Sequence, residues 1–196
     1  MKVVLATSNP GKVREVRAIL EQSPLDAEVV AMWIGHEETG ESFLENARLK
    51  AAAAVRLTGR PCLTEDAGLE VDGLNGLPGV HSARFAGPSA TDDDNTSKLL
   101  RLAAQLPEER LTARYRAAAV LLLPSGAEVV GEGSWAGRII LEPRGTGGFG
   151  YDPVFVPVGE TQTAAELDPS TKNRASHRAQ ALTALLAQLA SHAGSL

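Results

Sequence analysis

The sequence lacks the features that mark secreted and membrane-spanning proteins. Its 196 residues include one cysteine, Cys62, so no disulfide can form within the chain, and this favours a reducing compartment. No stretch approaches the roughly 20 consecutive apolar residues that a membrane-spanning helix needs. The apolar run from Met1 to Ala6 is too short for a signal peptide. We therefore expect a cytoplasmic protein, with Cys62 buried in a strand rather than acting as a nucleophile.

Positive charge and aromatic side chains are also scarce. The formal net charge is -5, and aromatic residues make up 4% of the chain. An acidic balance argues against nonspecific binding to nucleic acid or to an anionic membrane surface. It leaves phosphate binding open, because a few converging lysines suffice locally. The length favours a single domain over residues 1–196, with two lobes around a cleft.

Helical and strand patterns alternate along the chain. Periodic apolar positions predict helices over residues 12–22, 42–57, 91–106 and 176–190. Apolar runs predict strands over residues 2–7, 27–33, 61–71, 112–123 and 127–140, the last two forming a hairpin. Ser42 with Glu45, and Thr163 with Glu166, fit helix-starting capping boxes. The pattern indicates an α/β fold with a long mixed sheet flanked by helices.

A turn between the first strand and the first helix has the composition of an anion site. It contains Thr7, Ser8, Asn9, Pro10, Gly11 and Lys12. A helix N-terminus offers backbone N–H groups to an anion, and a lysine adds positive charge. The spacing differs from a Walker A sequence, since Val13 follows Gly11-Lys12. The alternative interpretation is a capped helix with a surface lysine.

Two adjacent carboxylates, Glu65 and Asp66, lie in an otherwise apolar predicted strand. Burying them is costly unless they are paired or bind a metal ion. Magnesium prefers oxygen ligands and keeps several waters, so one or two carboxylates are enough. Glu38 precedes the second helix and is a further candidate carboxylate. The alternative is an exposed edge strand with ordinary surface acids.

Two later segments have the composition of a nucleotide-recognition site. The glycine-rich stretch 145–153 contains a GxGxxG spacing, but Pro153 and Pro157 follow it instead of a helix, which excludes a dinucleotide motif. It is better interpreted as a loop whose Phe149 stacks on a base. Residues 172–178 concentrate basic side chains before the last helix, where positive charge calls for a compensating anion. The alternatives are a structural turn with a core Phe149 and a solvated helix start.

Taken together and in order, these segments resemble the Ham1-type inosine/xanthosine triphosphate pyrophosphatases. The matching segments are LATSNPGK at 5–12, ETG at 38–40, Phe43, ENA at 45–47, Lys50-Ala51, EDAGLEVD at 65–72, PGVHSARF at 78–85, FGYDP at 149–153, Lys172-Asn173 and SHR at 176–178. The resemblance spans nearly the whole chain. It implies hydrolysis of ITP, dITP and XTP to a monophosphate and pyrophosphate, with Mg²⁺ as cofactor, by a homodimer.

The resemblance also implies roles for individual residues. Asp66 would be the base for the attacking water, Glu65 would support that site, and Lys50 would neutralise phosphate charge. Glu38 and Asp66 would hold the magnesium. The implied substrate-binding residues are Thr7, Ser8, Asn9, Pro10, Gly11, Lys12, Ala67, Phe149, Gly150, Tyr151, Asp152, Lys172, His177 and Arg178. Ala67 departs from the family, which commonly has serine there; a hydroxyl contact is lost, while the backbone N–H remains.

Two other functions stay open at this point. One is a pyrophosphatase directed at pyrimidine triphosphates. The other is a nucleotide sensor without catalysis, against which the carboxylates Glu38, Glu65 and Asp66 argue, because binding alone would not favour negative charge beside a triphosphate.

Overall fold

The computed structural model describes residues 1–21, 23–29 and 39–191. The helices are α1 (Pro10–Leu20), α2 (Phe43–Thr58), α3 (Asp92–Ala103), α4 (Pro169–Ala175) and α5 (His177–Ser191). The strands are β1 (Lys2–Leu5), β2 (Asp26–Val29), β3 (Cys62–Val71), β4 (Thr112–Leu122), β5 (Glu128–Ile139) and β6 (Phe155–Pro157). Within these described ranges, no helix is both long enough and apolar enough to cross a membrane.

The strands of the described residues form one mixed sheet in the order β2-β1-β3-β4-β5-β6. Strand β1 runs parallel to both β2 and β3, with Leu5 opposite Val29 and Leu63. Strand β6 runs antiparallel to β5. The predicted α/β fold with a mixed sheet and flanking helices is therefore confirmed. The part of the predicted second strand beyond Val29 lies outside the described residues.

One of the two predicted capping boxes begins a helix. Ser42 accepts the Glu45 N–H at 3.1 Å, and the Glu45 carboxylate accepts the N–H of Glu41 at 2.8 Å. A full capping box joins Thr91 and Asp94 at the start of α3. At Thr163 and Glu166 the capping hydrogen bond forms, but the chain makes only a turn there. Helix α4 begins later because Pro169 suits a first helical turn.

The chain divides into two compact units. Unit 1 comprises Met1–Asp66, Ala117–Gly133 and Ser176–Leu196, and unit 2 comprises Ala67–Arg116 and Ser134–Ala175. The expectation of one domain over residues 1–196, with two lobes around a cleft, stays a prediction.

In unit 1, strand β1 and helix α5 are both tightly packed. Val3 and Val4 of β1 are fully buried, and so is Cys62, as predicted. Helix α5 approaches β5 so closely that a Cβ at Gly133 would overlap the carbonyl of His177. Glycine at this position therefore lets the start of α5, which carries His177 and Arg178, lie directly on the strand.

In unit 2, aromatic residues form the centre of the core. Tyr115 meets Phe155 edge to face at 4.8 Å between ring centroids, and Trp135 lies 5.5 Å from Phe155. Leu99 of α3 and Tyr151 belong to the same buried group. Aromatic pairs of this geometry add specific attraction to the burial of apolar area. Tyr151, two residues after Phe149, is therefore part of this core.

Candidate active site

The turn between β1 and α1 is folded by its own side chains. The Asn9 Oδ1 accepts the N–H groups of Gly11 at 2.8 Å and Lys12 at 3.1 Å, and Thr7 Oγ1 accepts the N–H of Asn9 at 3.2 Å. The first N–H groups of α1 are thus already satisfied by the cap. The groups left for an anion are mainly side chains, above all the exposed Ser8 and the Lys12 ammonium.

Lys12 is a partly buried cation surrounded by charges of both signs. Within the described part of the chain its ammonium makes no hydrogen bond or close ion pair. Burial lowers its pKa, and the nearby charges of Lys50 and Arg178 act in the same direction, while Glu65 and Asp66 oppose them. A desolvated lysine of this kind favours an anionic partner such as phosphate.

Asp66 is held in place by one face of α2. Its Oδ1 accepts a hydrogen bond from Lys50 Nζ at 2.7 Å, and its Oδ2 accepts one from Asn46 Nδ2 at 3.3 Å. Asn46 and Lys50 are four residues apart and therefore lie on the same side of the helix. Asp66 is 5% exposed. The carboxylate is thus oriented by two donors beside the phosphate-binding candidates.

Glu65 forms a different and deeper ion pair. It accepts two hydrogen bonds from Arg178, from Nε at 2.8 Å and from Nη2 at 3.0 Å. The Nη1 of Arg178 donates to Glu15 of α1. Burial alone would raise the pKa of Glu65, but the charges of Arg178 and Lys12 hold it at about 2. Burial also opposes the charge of Arg178, yet Glu65 and Glu15 raise its pKa above the ordinary value.

These residues make up the charged cluster of unit 1. Its members are Lys12, Glu15, Lys50, Glu65, Asp66 and Arg178. His177, 4% exposed, lies next to Arg178, and its charge also lowers the pKa of Glu65. Sequence reasoning missed Glu15. Its position one helical turn after Lys12 was the available signal, since residues three apart share a helix face.

Unit 2 contains a second cluster of site residues, in which aromatic rings surround the carboxylate of Asp152. We call it the aromatic cluster. Lys172 Nζ donates to Asp152 Oδ2 at 2.5 Å, and the backbone N–H of Phe149 donates to the same oxygen at 2.8 Å. The hydroxyl of Tyr115 lies 3.3 Å from Oδ1. The Lys172 ammonium is also 5.1 Å from the centroid of the Phe149 ring, a cation–π distance. The cluster consists of Tyr115, Phe149, Tyr151, Asp152 and Lys172.

The loop that carries Phe149 depends on two glycines. Gly148 has φ +71°, and a Cβ there would overlap the Asp152 carboxylate. Gly150 has φ +62°, which side-chain-bearing residues rarely adopt. Tyr151 donates its hydroxyl to the carbonyl of Ser82 at 2.8 Å. Its pKa is raised by burial and by the charge of Asp92.

Nine of the eighteen predicted site residues are members of one of the two clusters. Sequence reasoning missed Tyr115 altogether, because nothing in its local pattern distinguishes it from a core residue. Ala67 is partly buried in β3 and carries no hydroxyl, as the sequence shows. The metal candidate Glu38 lies outside the described residues. Among residues that the structure does describe, no three His, Cys, Asp or Glu side chains are grouped to hold a metal ion.

Comparison with known proteins gives one consistent family. The profile of the Ham1 family matches residues 3–188. A protein of Methylococcus capsulatus named dITP/XTP pyrophosphatase is 48% identical over 196 residues, which cover 96% of each chain. One of the same name from Mycobacteroides abscessus is 46% identical and covers 96% of this chain and 95% of that protein. The solved HAM1 protein of Coxiella burnetii superposes with a TM-score of 0.86 at 38% identity, covering 97% of this chain and 99% of that one.

Proposed function

The chain belongs to the Ham1 family, and we propose that it hydrolyses noncanonical purine nucleoside triphosphates. The substrates are dITP, ITP and XTP, and the products are the nucleoside monophosphate and pyrophosphate. Relatives near 47% identity bear the name dITP/XTP pyrophosphatase over nearly the full length of both chains. The structural observation that supports this function most directly is the buried Asp66 carboxylate, held by Lys50 beside the charges of Lys12.

The negative charge of the phosphates is the main obstacle to the reaction, and the lysines of the charged cluster can neutralise part of it. We propose that Lys12 and the 7–12 turn, with Thr7, Ser8, Asn9, Pro10 and Gly11, hold the triphosphate. Lysines that are already oriented and partly desolvated stabilise developing negative charge without reorganisation. Asp66 is the proposed base, taking a proton from the water that attacks the α-phosphorus. Lys50 keeps the Asp66 carboxylate directed, and Glu65 supports the site by fixing Arg178.

The cofactor that we propose is a magnesium ion at Asp66. Asp66 offers carboxylate oxygens, the ligand type that Mg²⁺ prefers, and Mg²⁺ bound to phosphates needs only one or two protein carboxylates. We propose that Asp66 holds the ion together with Glu38. When bound, it would neutralise charge on the phosphate oxygens.

Recognition of the base is proposed for residues that combine a ring with fixed polar groups. Phe149 offers its ring for stacking, with Gly150, Tyr151, Asp152 and Lys172 completing that surface. From the resemblance we also propose that Lys172, His177 and Arg178 lie around the base and its 6-oxo group, and that Ala67 offers a backbone contact. Hypoxanthine and xanthine present an acceptor at that position, while adenine presents an amino donor. A site of donors rejects ATP because buried groups would stay unpaired, a mechanism that reaches about 10⁴-fold selectivity.

A panel of triphosphates tests the proposal directly. The wild-type protein is incubated with dITP, ITP, XTP, ATP, GTP, CTP and UTP, with and without magnesium, and pyrophosphate is measured. We expect magnesium-dependent release from the first three. Preference for CTP or UTP would favour the pyrimidine-directed alternative, and binding without release would favour a nucleotide sensor.

We also propose a cytoplasmic homodimer, as the family resemblance implies. The single cysteine supports a reducing compartment. Light scattering after size exclusion should give about twice the mass of the 20.6 kDa chain. A monomeric mass across the concentration range would contradict the dimer and leave the proposed reaction untouched.

A further inference from the structure

The first turn of α3 holds the loop that carries Phe149, and both lie in unit 2. Asp92 Oδ2 accepts the backbone N–H of Gly150 at 2.7 Å. Thr96 Oγ1 donates to the backbone carbonyl of the same glycine at 3.4 Å. Asp92 and Thr96 are four residues apart and therefore lie on one face of the helix. The backbone of Gly150 is thus held through both its N–H and its carbonyl.

The two hydrogen bonds that Gly150 makes with Asp92 and Thr96, here called the anchor, act next to the exposed part of the loop. Residues 141–148 are exposed, and the segment is rich in glycine, which loses much conformational entropy on ordering. Gly150 itself is in the left-handed region and lies directly between Phe149 and the buried Tyr151. Fixing the backbone of Gly150 therefore fixes the direction in which the Phe149 ring leaves the chain.

Hydrogen bonds that do not involve Asp92 hold the start of α3 in place. Thr91 and Asp94 form its capping box, so Asp92 is not needed to start the helix. The buried Asn95 receives the N–H of Ala86 at 2.8 Å and donates to the carbonyl of Ala83 at 3.2 Å. Asp92 is thus presented from a fixed turn, and its carboxylate contacts the loop.

We propose that Asp92, assisted by Thr96, is a positioning residue for purine binding, holding Phe149 where its ring can stack on the base. This inference rests on the proposed function, in which Phe149 contacts the purine. Asp92 acts through the Gly150 backbone and has no part in the chemistry of hydrolysis. Its loss should therefore weaken substrate binding while the chemical step continues.

The test compares three variants with dITP as substrate. Asp92→Ala should raise KM about 3–10-fold, as expected for one hydrogen bond to a charged group at a partly exposed site, with kcat within about twofold of wild type. Asp92→Asn keeps an oxygen acceptor and should restore most of the affinity. Asp93→Ala is the matched control, because Asp93 is also an exposed acid in the first turn of α3. Equal KM values for Asp92→Ala and Asp93→Ala would overturn the inference.

A double-mutant cycle with Phe149→Ala shows whether Asp92 acts through this loop. In the Phe149→Ala background, Asp92→Ala should change KM less than twofold. An undiminished effect there would mean that Asp92 acts elsewhere, and the inference would fail although the proposed function stands.

Hydrogen exchange of the Gly150 amide tests the anchor without substrate. It should be faster in Asp92→Ala than in Asp93→Ala, and equal rates would count against the anchor. A wild-type protein that fails to hydrolyse dITP would reject the proposed function. The exchange rates would still report on the anchor itself.

Discussion

The charged cluster of unit 1 and the aromatic cluster of unit 2 handle buried charge in different ways. The first gathers three carboxylates and three cations, contributed by α1, α2, β3 and α5. The second contains one ion pair, Asp152 with Lys172, beside two tyrosines and a phenylalanine. Moving many charges out of water costs free energy, so buried ion pairs do not by themselves show that the charged cluster stabilises the fold. The proposed function offers a reason for this density of charge, namely a ligand that is itself charged, such as a triphosphate with a cation.

The aromatic cluster suits a flat and nearly neutral ligand. Its ion pair is internal, and Phe149 is partly buried. A purine ring needs stacking area and a few fixed hydrogen-bonding groups, and under the proposed function this cluster would supply both. Under the proposed function, Asp66 of the charged cluster acts in hydrolysis and Phe149 of the aromatic cluster acts in base binding. Variants at these two residues should therefore have different kinetic signatures.

The largest expected effect is that of Asp66→Asn on turnover. Loss of a general base that also contributes to a metal site should lower kcat about 10⁴-fold, equal to about 5 kcal/mol. Asparagine retains the shape and one oxygen for Lys50, so the melting temperature should stay within a few degrees. Pyrophosphate release and a thermal melt measure the two quantities. The exposed Asp93→Asn serves as control, and wild-type kcat in Asp66→Asn would reject Asp66 as the base.

Arg178→Met should have the largest effect on stability. It leaves Glu65 and Glu15 without their shared partner, and breaking a buried ion pair in this way costs about 3–5 kcal/mol. Arg60→Met breaks the exposed pair with Glu28 and should cost far less, because solvent screens that pair. Urea unfolding of both variants gives the comparison. Similar losses would show that the charged cluster is no more tightly coupled than the surface.

Acid should weaken the charged cluster through Glu65. Its pKa in the folded protein is about 2, below the ordinary 4.5, so its contribution to stability is complete above pH 4.5. As pH falls from 4.5 towards 2, that contribution, roughly 3 kcal/mol, is lost. Unfolding free energies of wild type and Glu65→Gln should therefore converge over this range. Parallel curves would mean that Glu65 is not held ionised by Arg178 and Lys12.

The smallest effect is expected from Phe149→Ala in the aromatic cluster. Loss of one base-stacking contact is worth about 1–3 kcal/mol, which corresponds to roughly 5–150-fold in kcat/KM for dITP. The change should appear in KM, in contrast to Asp66→Asn. Substitution of the exposed Leu141 by alanine is a control for general loss of apolar surface. A fall in kcat alone would remove the distinction between the two clusters.

Local patterns predicted much of the fold. Strand β3 and the β4–β5 hairpin are close to their predicted bounds, since alternation and turn residues act over a few neighbours. The capping signal at Thr163 failed because a hydrogen bond can close a turn without a helix following. The contacts within the candidate site were harder to predict from the sequence. Glu15 and Tyr115 acquire their roles only from Arg178 and Asp152, which lie far away in the chain.

The sequence by itself determined the family, the α/β class and most of the residues with chemical potential, because these follow from composition, periodicity and ordered motifs. Only the tertiary structure decided how those residues are paired. In the folded chain Arg178 pairs with Glu65 and Glu15, Lys50 pairs with Asp66, and Lys172 pairs with Asp152. The physical reason is that electrostatic interactions depend on distance and burial, and residues far apart in the chain acquire both only when the helices pack on the sheet.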